Sequence, residues 1–129
     1  MAKILLVDDD SAIATVFSMA LTQGGFQVIT INEGSHVLEK AKEEKPDFIL
    51  LDQILPDMKG NDILKQLKAD SLTKPIPVAM LSNFGQQELI EEAIKEGSVD
   101  YILKYQIEAQ DLVKKVQSLL EDSNMEKKL

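Results

Sequence analysis

The sequence predicts a doubly wound α/β domain built on a five-stranded parallel sheet. Short apolar, β-rich runs alternate five times with amphipathic stretches, with brief turns between them. Three of the runs are apolar throughout rather than alternating, which is what burial on both faces of a sheet requires. Parallel strands joined through helices then imply right-handed crossovers and helices on both sides of the sheet.

The first strand is Ile4 to Val7. In the helix that follows, Ser11 is positioned as a cap, Ile13, Phe17 and Leu21 with Val16 and Ala20 form the apolar side, and Gly24-Gly25 supplies a left-handed stop. Gln27 to Thr30 is the second strand. Its helix runs roughly from Ser35 to Glu44, turns Val37, Leu38 and Ala41 inward, and ends before Pro46. The third strand, Phe48 to Leu51, leads to a helix marked by Ile63, Leu64 and Leu67. The fourth, Val78 to Leu81, leads to Leu89, Ile90, Ala93 and Ile94, with Gly97 closing the helix. After the fifth strand, Tyr101 to Leu103, the apolar residues Leu112, Val113, Val116, Leu119 and Leu120 mark one face of a final helix. The strand order expected is 2-1-3-4-5, a flavodoxin-like (βα)5 arrangement, because it sets strands one and three side by side. The domain is expected over residues 1–121. Residues 122–129 lose the apolar spacing and are expected to be a frayed or disordered tail.

At 129 residues the chain is one domain, with an apolar fraction of 44% and a charged fraction of 28%, both ordinary for a globular protein. No apolar run approaches the roughly 20 residues that span a bilayer, so membrane insertion is not expected, and the amino terminus does not read as a secretory signal. Cytoplasmic placement follows. The formal net charge of −8 argues against direct binding of nucleic acid. With no cysteine and His36 as the sole histidine, thiol chemistry, a nucleophilic triad and a zinc site all lack support.

The chemistry concentrates at the strand ends. Asp8 and Asp9 follow the first strand, Asp52 the third, Ser82 the fourth and Lys104 the fifth. In an open parallel sheet, ligands bind outside the carboxyl ends of the strands, so these groups can converge. Three carboxylates meeting there repel one another unless a cation or proton intervenes, and Mg²⁺ is the natural resident. Asp10 reads better as a helix N-terminal acid. A carboxylate at Asp52 can act as a nucleophile towards phosphorus, giving an acyl phosphate, with a metal ion and Lys104 neutralising the transferred oxygens. The ordinary alternatives are a solvated lysine for Lys104 and a turn cap for Ser82. Tyr101 is an aromatic with a polar tip beside the site, able to swing between exposed and packed states.

These residues resemble a family. Ile4-Leu5-Leu6-Val7-Asp8-Asp9-Asp10, Asp47-Phe48-Ile49-Leu50-Leu51-Asp52, Leu55-Pro56-Asp57-Met58-Lys59-Gly60, Leu81-Ser82 and Asp100-Tyr101-Ile102-Leu103-Lys104 look like the receiver domain of two-component response regulators, in single-domain form. The resemblance runs from Lys3 to about Leu120. It implies that Asp52 accepts a phosphoryl group from a histidine kinase or a histidine phosphotransfer protein. It further implies that Asp9, Asp52 and the main-chain carbonyl of Ile54 bind Mg²⁺, with Asp8 holding the metal's water shell. Ser82 and Lys104 would contact the phosphoryl oxygens, and Ser82 and Tyr101 would switch together to alter a surface for a downstream protein target.

Two positions depart from the family pattern. Tyr105 follows Lys104 where proline is usual, so a trans bond is expected there, and Asn83 follows Ser82 where a small residue is usual. Two other readings compete. Asp8-Asp9-Asp10 contains the Asp-x-Asp spacing of haloacid dehalogenase-type phosphohydrolases, with Asp8 as nucleophile and Asp10 as acid/base. The third reading is a receiver fold used only for binding.

Overall fold

The computed structural model of the chain describes residues 1–128, and side chains through residue 125. Five parallel strands, β1 (Lys3–Val7), β2 (Gln27–Ile31), β3 (Phe48–Leu51), β4 (Val78–Ser82) and β5 (Asp100–Leu103), lie in the order β2-β1-β3-β4-β5. Alternating with them are α1 (Ser11–Gln23), α2 (Val37–Glu44), α3 (Gly60–Ala69), α4 (Gln87–Lys95) and α5 (Ala109–Lys128). The class is that of the alternating pattern, and the order is the one expected from setting strands one and three side by side.

Side chains of a strand point alternately to opposite faces, and the central strands use both. Leu5 and Val7 of β1, Ile49 and Leu51 of β3, and Val78 and Met80 of β4 pack with Val37, Ala41, Ile63, Leu64, Leu67 and Ala93, under α2, α3 and α4. Ile4, Leu6, Phe48, Leu50, Ala79 and Leu81 face the other way, onto Ala14, Phe17 and Leu21 of α1 and Leu112 and Val116 of α5. This two-sided burial is why the strand runs are continuously apolar. Each such leucine or isoleucine removed from water contributes on the order of 1.5–3 kcal/mol.

The helix ends correct the sequence reading in detail. Asp10, not Ser11, caps α1: its carboxylate accepts from the amides of Ala12 and Ile13 at 3.1 and 3.2 Å, and Ser11 is the first helical residue. The stop after α1 does use a left-handed glycine, Gly25 at φ 97°. Ahead of α2, Gly34–His36 form a 3-10 turn, so the α-helix begins at Val37 rather than Ser35. The Asp57 carboxylate holds that turn, accepting from the amides of Gly34 and Ser35 at 2.8 and 2.9 Å. These two amides also hold the Asp57 carboxyl below its usual range. α5 continues as helix through Lys128, into the 122–129 stretch read as a frayed tail, whose residues include no Gly or Pro to stop it. Leu129 lies outside the described residues.

The loop from β3 to α3 folds back tightly beneath the sheet's carboxyl edge. Gly60 donates its amide to the Gln53 carbonyl at 2.6 Å, and a Cβ there would run into the Asp52 carbonyl oxygen and come within 2.8 Å of Gln53 Cα. Glycine is required by space, not by φ. Gly60→Ala is therefore expected to lower the unfolding free energy by about 1–3 kcal/mol, the usual cost of overpacking, as read from urea denaturation.

Candidate functional site

Sheet register assembles the site. Val7 stands opposite Leu51 in the β1/β3 ladder. The Asp52 amide donates to the Val7 carbonyl and the Asp8 amide to the Ile31 carbonyl, both at 2.9 Å. The two aspartates therefore leave adjacent strands side by side, with 3% of Asp8 and 5% of Asp52 exposed. Asp9, one residue further, is exposed, and carboxylate oxygens of Asp8, Asp9 and Asp52 all lie within 4.8 Å of one another.

Lys104 enters from the far side of the sheet. It follows β5, is only 7% exposed, and sets its Nζ 2.7 Å from Asp8 Oδ2 and 3.2 Å from Asp52 Oδ2. Lys104 is thus no solvated lysine. The described peptide bonds are all trans, the Lys104-Tyr105 bond included, as expected without proline. A 3-10 turn over Lys104–Gln106 carries the chain away while Lys104 turns inward and Tyr105 outward.

The electrostatics favour a further cation. The Asp52 carboxyl is pushed up to about 6: burial raises it, the Lys104 ammonium pulls it down, and the neighbouring Asp8 carboxylate raises it again. Asp8 Oδ1 accepts from the Asp10 amide at 2.9 Å. Asp8 Oδ2 is sealed from solvent and receives no hydrogen bond in proper geometry, although the Lys104 ammonium stands close to it. A buried carboxylate oxygen without a donor, in a trio of carboxylates facing one ammonium, fits a hard, oxygen-seeking divalent ion.

The remaining residues singled out in the sequence are placed as follows. Ser82 is the buried last residue of β4, and its Oγ accepts from the Phe84 amide at 3.0 Å, the turn-cap role. Tyr101 on β5 is half-buried and donates its hydroxyl to the Phe84 carbonyl at 2.7 Å. Ile54 is part-exposed and pairs with Lys59 in a short antiparallel bridge, while its amide helps hold the Asp52 carboxyl down. Asp10 spends its carboxylate on the α1 cap, which leaves the phosphohydrolase reading without its acid/base. His36 is exposed, 3.8 Å from Glu33.

Sequence reasoning passed over Gln53 and Asn61, which are 1% and 3% exposed. Asn61 donates its amide to Gln53 Oε1, and Gln53 Nε2 donates to Asn61 Oδ1, each at 3.0 Å. Two polar residues eight positions apart give no periodic signal. The clue available was an amide side chain directly after an otherwise apolar strand and its terminal aspartate.

A doubly wound sheet with an acidic trio and a buried lysine at its carboxyl edge defines a signalling module of the two-component class. The chain belongs to the response regulator receiver domain family, whose model matches residues 4–117. It is similar to the DNA-binding response regulator MtrA of Mycobacterium leprae, 34% identical over 118 residues that cover 92% of this chain and 51% of MtrA. To the phosphate regulon transcriptional regulatory protein PhoB of Escherichia coli it is 36% identical over 102 residues, 79% of this chain and 44% of PhoB. The chain thus spans about half the length of the curated relatives it matches. Its structure is similar to that of a CheY-like receiver domain protein from Methanospirillum hungatei, with a TM-score of 0.91 at 27% identity, covering 98% of both chains. Among the described residues no helix is long and apolar enough to cross a membrane.

The Asp52 carboxyl makes stability depend on pH. It titrates near 6 in the fold against an ordinary 3.8, so the folded state holds its proton more tightly. The stability this contributes is full below the ordinary value and is lost as pH rises through about 6. Asp52→Asn is expected to raise the thermal midpoint of the metal-free protein at about pH 8, and that gain is expected to shrink as pH falls from about 6 to 4. Calorimetry in chelator across this range checks it, and an equal gain at both ends contradicts the assignment.

Proposed function

We propose that Asp52 is the phosphoacceptor of this receiver domain and takes its phosphoryl group from the phosphohistidine of a histidine kinase or a histidine phosphotransfer protein in the cytoplasm. The observation that carries the reading is the Lys104 ammonium set between Asp8 and Asp52, 2.7 and 3.2 Å from their carboxylates. A lysine in that position serves a phosphoryl oxygen as readily as a carboxylate. The family match over residues 4–117 supports the class of chemistry.

In the step proposed, an Asp52 carboxylate oxygen attacks phosphorus, an oxygen–phosphorus bond forms, and the phosphorus–nitrogen bond to the donor imidazole breaks. The leaving nitrogen keeps the bond's electron pair, and the product is an acyl phosphate. A carboxyl titrating near 6 is mostly ionised, and so nucleophilic, at neutral pH. Asp9, Asp52 and the Ile54 carbonyl would hold Mg²⁺, with Asp8 fixing its water shell. When bound, Mg²⁺ supplies positive charge beside the transferred oxygens, and positioning plus electrostatics is most of what phosphoryl transfer requires. Lys104 would pair with one phosphoryl oxygen. Ser82, released from the Phe84 amide, would donate its hydroxyl to another. Hydrolysis of the acyl phosphate by the domain itself would reset it.

The acyl phosphate would carry roughly −1.5 to −2 charges where the Asp52 carboxylate carried one. Ser82 and Tyr101 both bond to Phe84, one to its amide and one to its carbonyl, so drawing Ser82 inward disturbs the bond that holds Tyr101. The surface around α4, β5 and α5 would change, and a downstream protein would read it. Direct contact of this domain with nucleic acid is not part of the proposal.

Incubation with acetyl phosphate and Mg²⁺, followed by intact mass and peptide mapping, tests the acceptor. One phosphoryl group on the peptide containing Asp52 is expected, abolished by Asp52→Asn. Labelling that survives Asp52→Asn but not Asp8→Asn would restore the phosphohydrolase reading, and no labelling beside a control receiver that labels would leave a binding-only fold.

A further inference from the structure

Beneath Asp52 lies a closed polar network that phosphoryl chemistry does not use. Gln53 follows Asp52 directly, and Asn61 sits in the first turn of α3. The orientation of both amides is fixed by elimination. The Asn61 main-chain amide can only donate, so the Gln53 atom it meets at 3.0 Å is oxygen. Gln53 Nε2 must then face the Asn61 side-chain oxygen, also at 3.0 Å. That leaves Asn61 Nδ2 aimed outward, at Glu92 Oε2 (3.1 Å) and the Leu89 carbonyl (3.5 Å), both on α4. The second Gln53 Nε2 hydrogen points to the Tyr101 hydroxyl at 3.4 Å, and that hydroxyl donates in turn to the Phe84 carbonyl.

Bond lengths grade along this network. The centre, Gln53 with Asn61, is short and doubly bonded; the links to Tyr101 and to the Leu89 carbonyl are the longest. A rigid middle with weak outer joints holds its neighbours and can release them. α4 has little else to hold it. Ala93 is its one fully buried residue among Gln87–Lys95, Ile94 is exposed, and no side chain caps its amino end. Glu92 is also held from α3 by Lys65, at 3.4 Å.

We propose that Gln53 and Asn61 are positioning residues that latch α4 and Tyr101 in the arrangement of the unphosphorylated domain. Because Gln53 is bonded through the backbone to Asp52, a shift of Asp52 on phosphorylation moves the latch at its root. The outer bonds then break first, freeing Tyr101 and the Leu89 end of α4 together. An apolar pair would fill the same space, so the amides are used for what they hold.

The inference rests on Asp52 as acceptor, and one titration separates the two. Beryllofluoride with Mg²⁺ mimics the phosphoryl group, and amide resonances report its binding. In the wild type, binding is expected to move resonances of α4 and Tyr101; absence of binding overturns the acceptor assignment and the latch with it. The paired variant Gln53→Met/Asn61→Leu removes the network without leaving an orphaned amide. It is expected to bind the mimic about fivefold more tightly, because the latched state no longer has to be opened. Its free α4 resonances are expected to lie part-way towards the wild type's bound positions. Glu92→Ala, which trims the network at its part-exposed outer end together with the Lys65 ion pair, is expected to tighten binding by about twofold. Wild-type binding with equal or weaker affinity in both variants, and α4 resonances unmoved in the free state, overturns the latch while leaving Asp52 as acceptor.

Discussion

One ammonium between two buried carboxylates sets the terms for the rest of the molecule. Asp8, Asp52 and Lys104 are each more than nine-tenths buried, and taking such groups out of water costs several kcal/mol per ion unless geometry repays it. Here the geometry comes from the sheet. Parallel register puts the ends of β1 and β3 side by side, and β4 in turn places β5, so that a lysine leaving β5 reaches both acids. The charges still do not balance, since Asp8 keeps an oxygen without a hydrogen-bond donor and Asp9 adds a third carboxylate. That imbalance fits the site to a cation, which is the basis for the phosphoryl chemistry proposed at Asp52.

The same constraint explains the loops. Under the chemistry proposed for it, Asp52 needs a firm base. The β3–α3 loop supplies it through Gly60 against the Asp52 carbonyl, Asp57 on the amides of Gly34 and Ser35, and the paired amides of Gln53 and Asn61. Opposite this base the contacts are fewer. Ser82 and Tyr101 share Phe84 through single hydrogen bonds, in a segment where Phe84 itself is part-exposed. A perturbation at Asp52 therefore has one compliant direction in which to travel, towards β5 and α4.

Much of this was legible in the residues. Continuous apolar runs at Ile4 to Val7, Phe48 to Leu51 and Val78 to Leu81 report two-sided burial, which leads to a parallel sheet covered by helices on both faces; the order came from setting strands one and three side by side. The acidic trio was visible because Asp8 and Asp52 directly follow strands and Asp9 comes one residue after Asp8. What escaped were contacts made by chain closure rather than by local pattern. Asp10 and Ser11 are both good caps, and only the backbone geometry shows which one reaches the free amides. The start of α2 at Val37 depends on Asp57, which lies 23 and 22 residues from the amides of Gly34 and Ser35 that it holds. Gln53 and Asn61 carry no signal until the turn at Gly60 brings them together. Lys104 lost its usual proline neighbour and yet points inward, because its position is fixed by β5 pairing with β4 rather than by the residue that follows.

Three carboxylates and one lysine are proposed to form a cation-dependent phosphoryl site, and Mg²⁺ tests this without a kinase or a donor. Anything that binds the folded state alone raises its stability by mass action. The thermal midpoint of the wild type is predicted to climb as Mg²⁺ is raised through the millimolar range, while Asp9→Asn and Asp52→Asn show little or no climb. A midpoint indifferent to Mg²⁺ in the wild type, or one that rises equally in Asp9→Asn, would contradict the account.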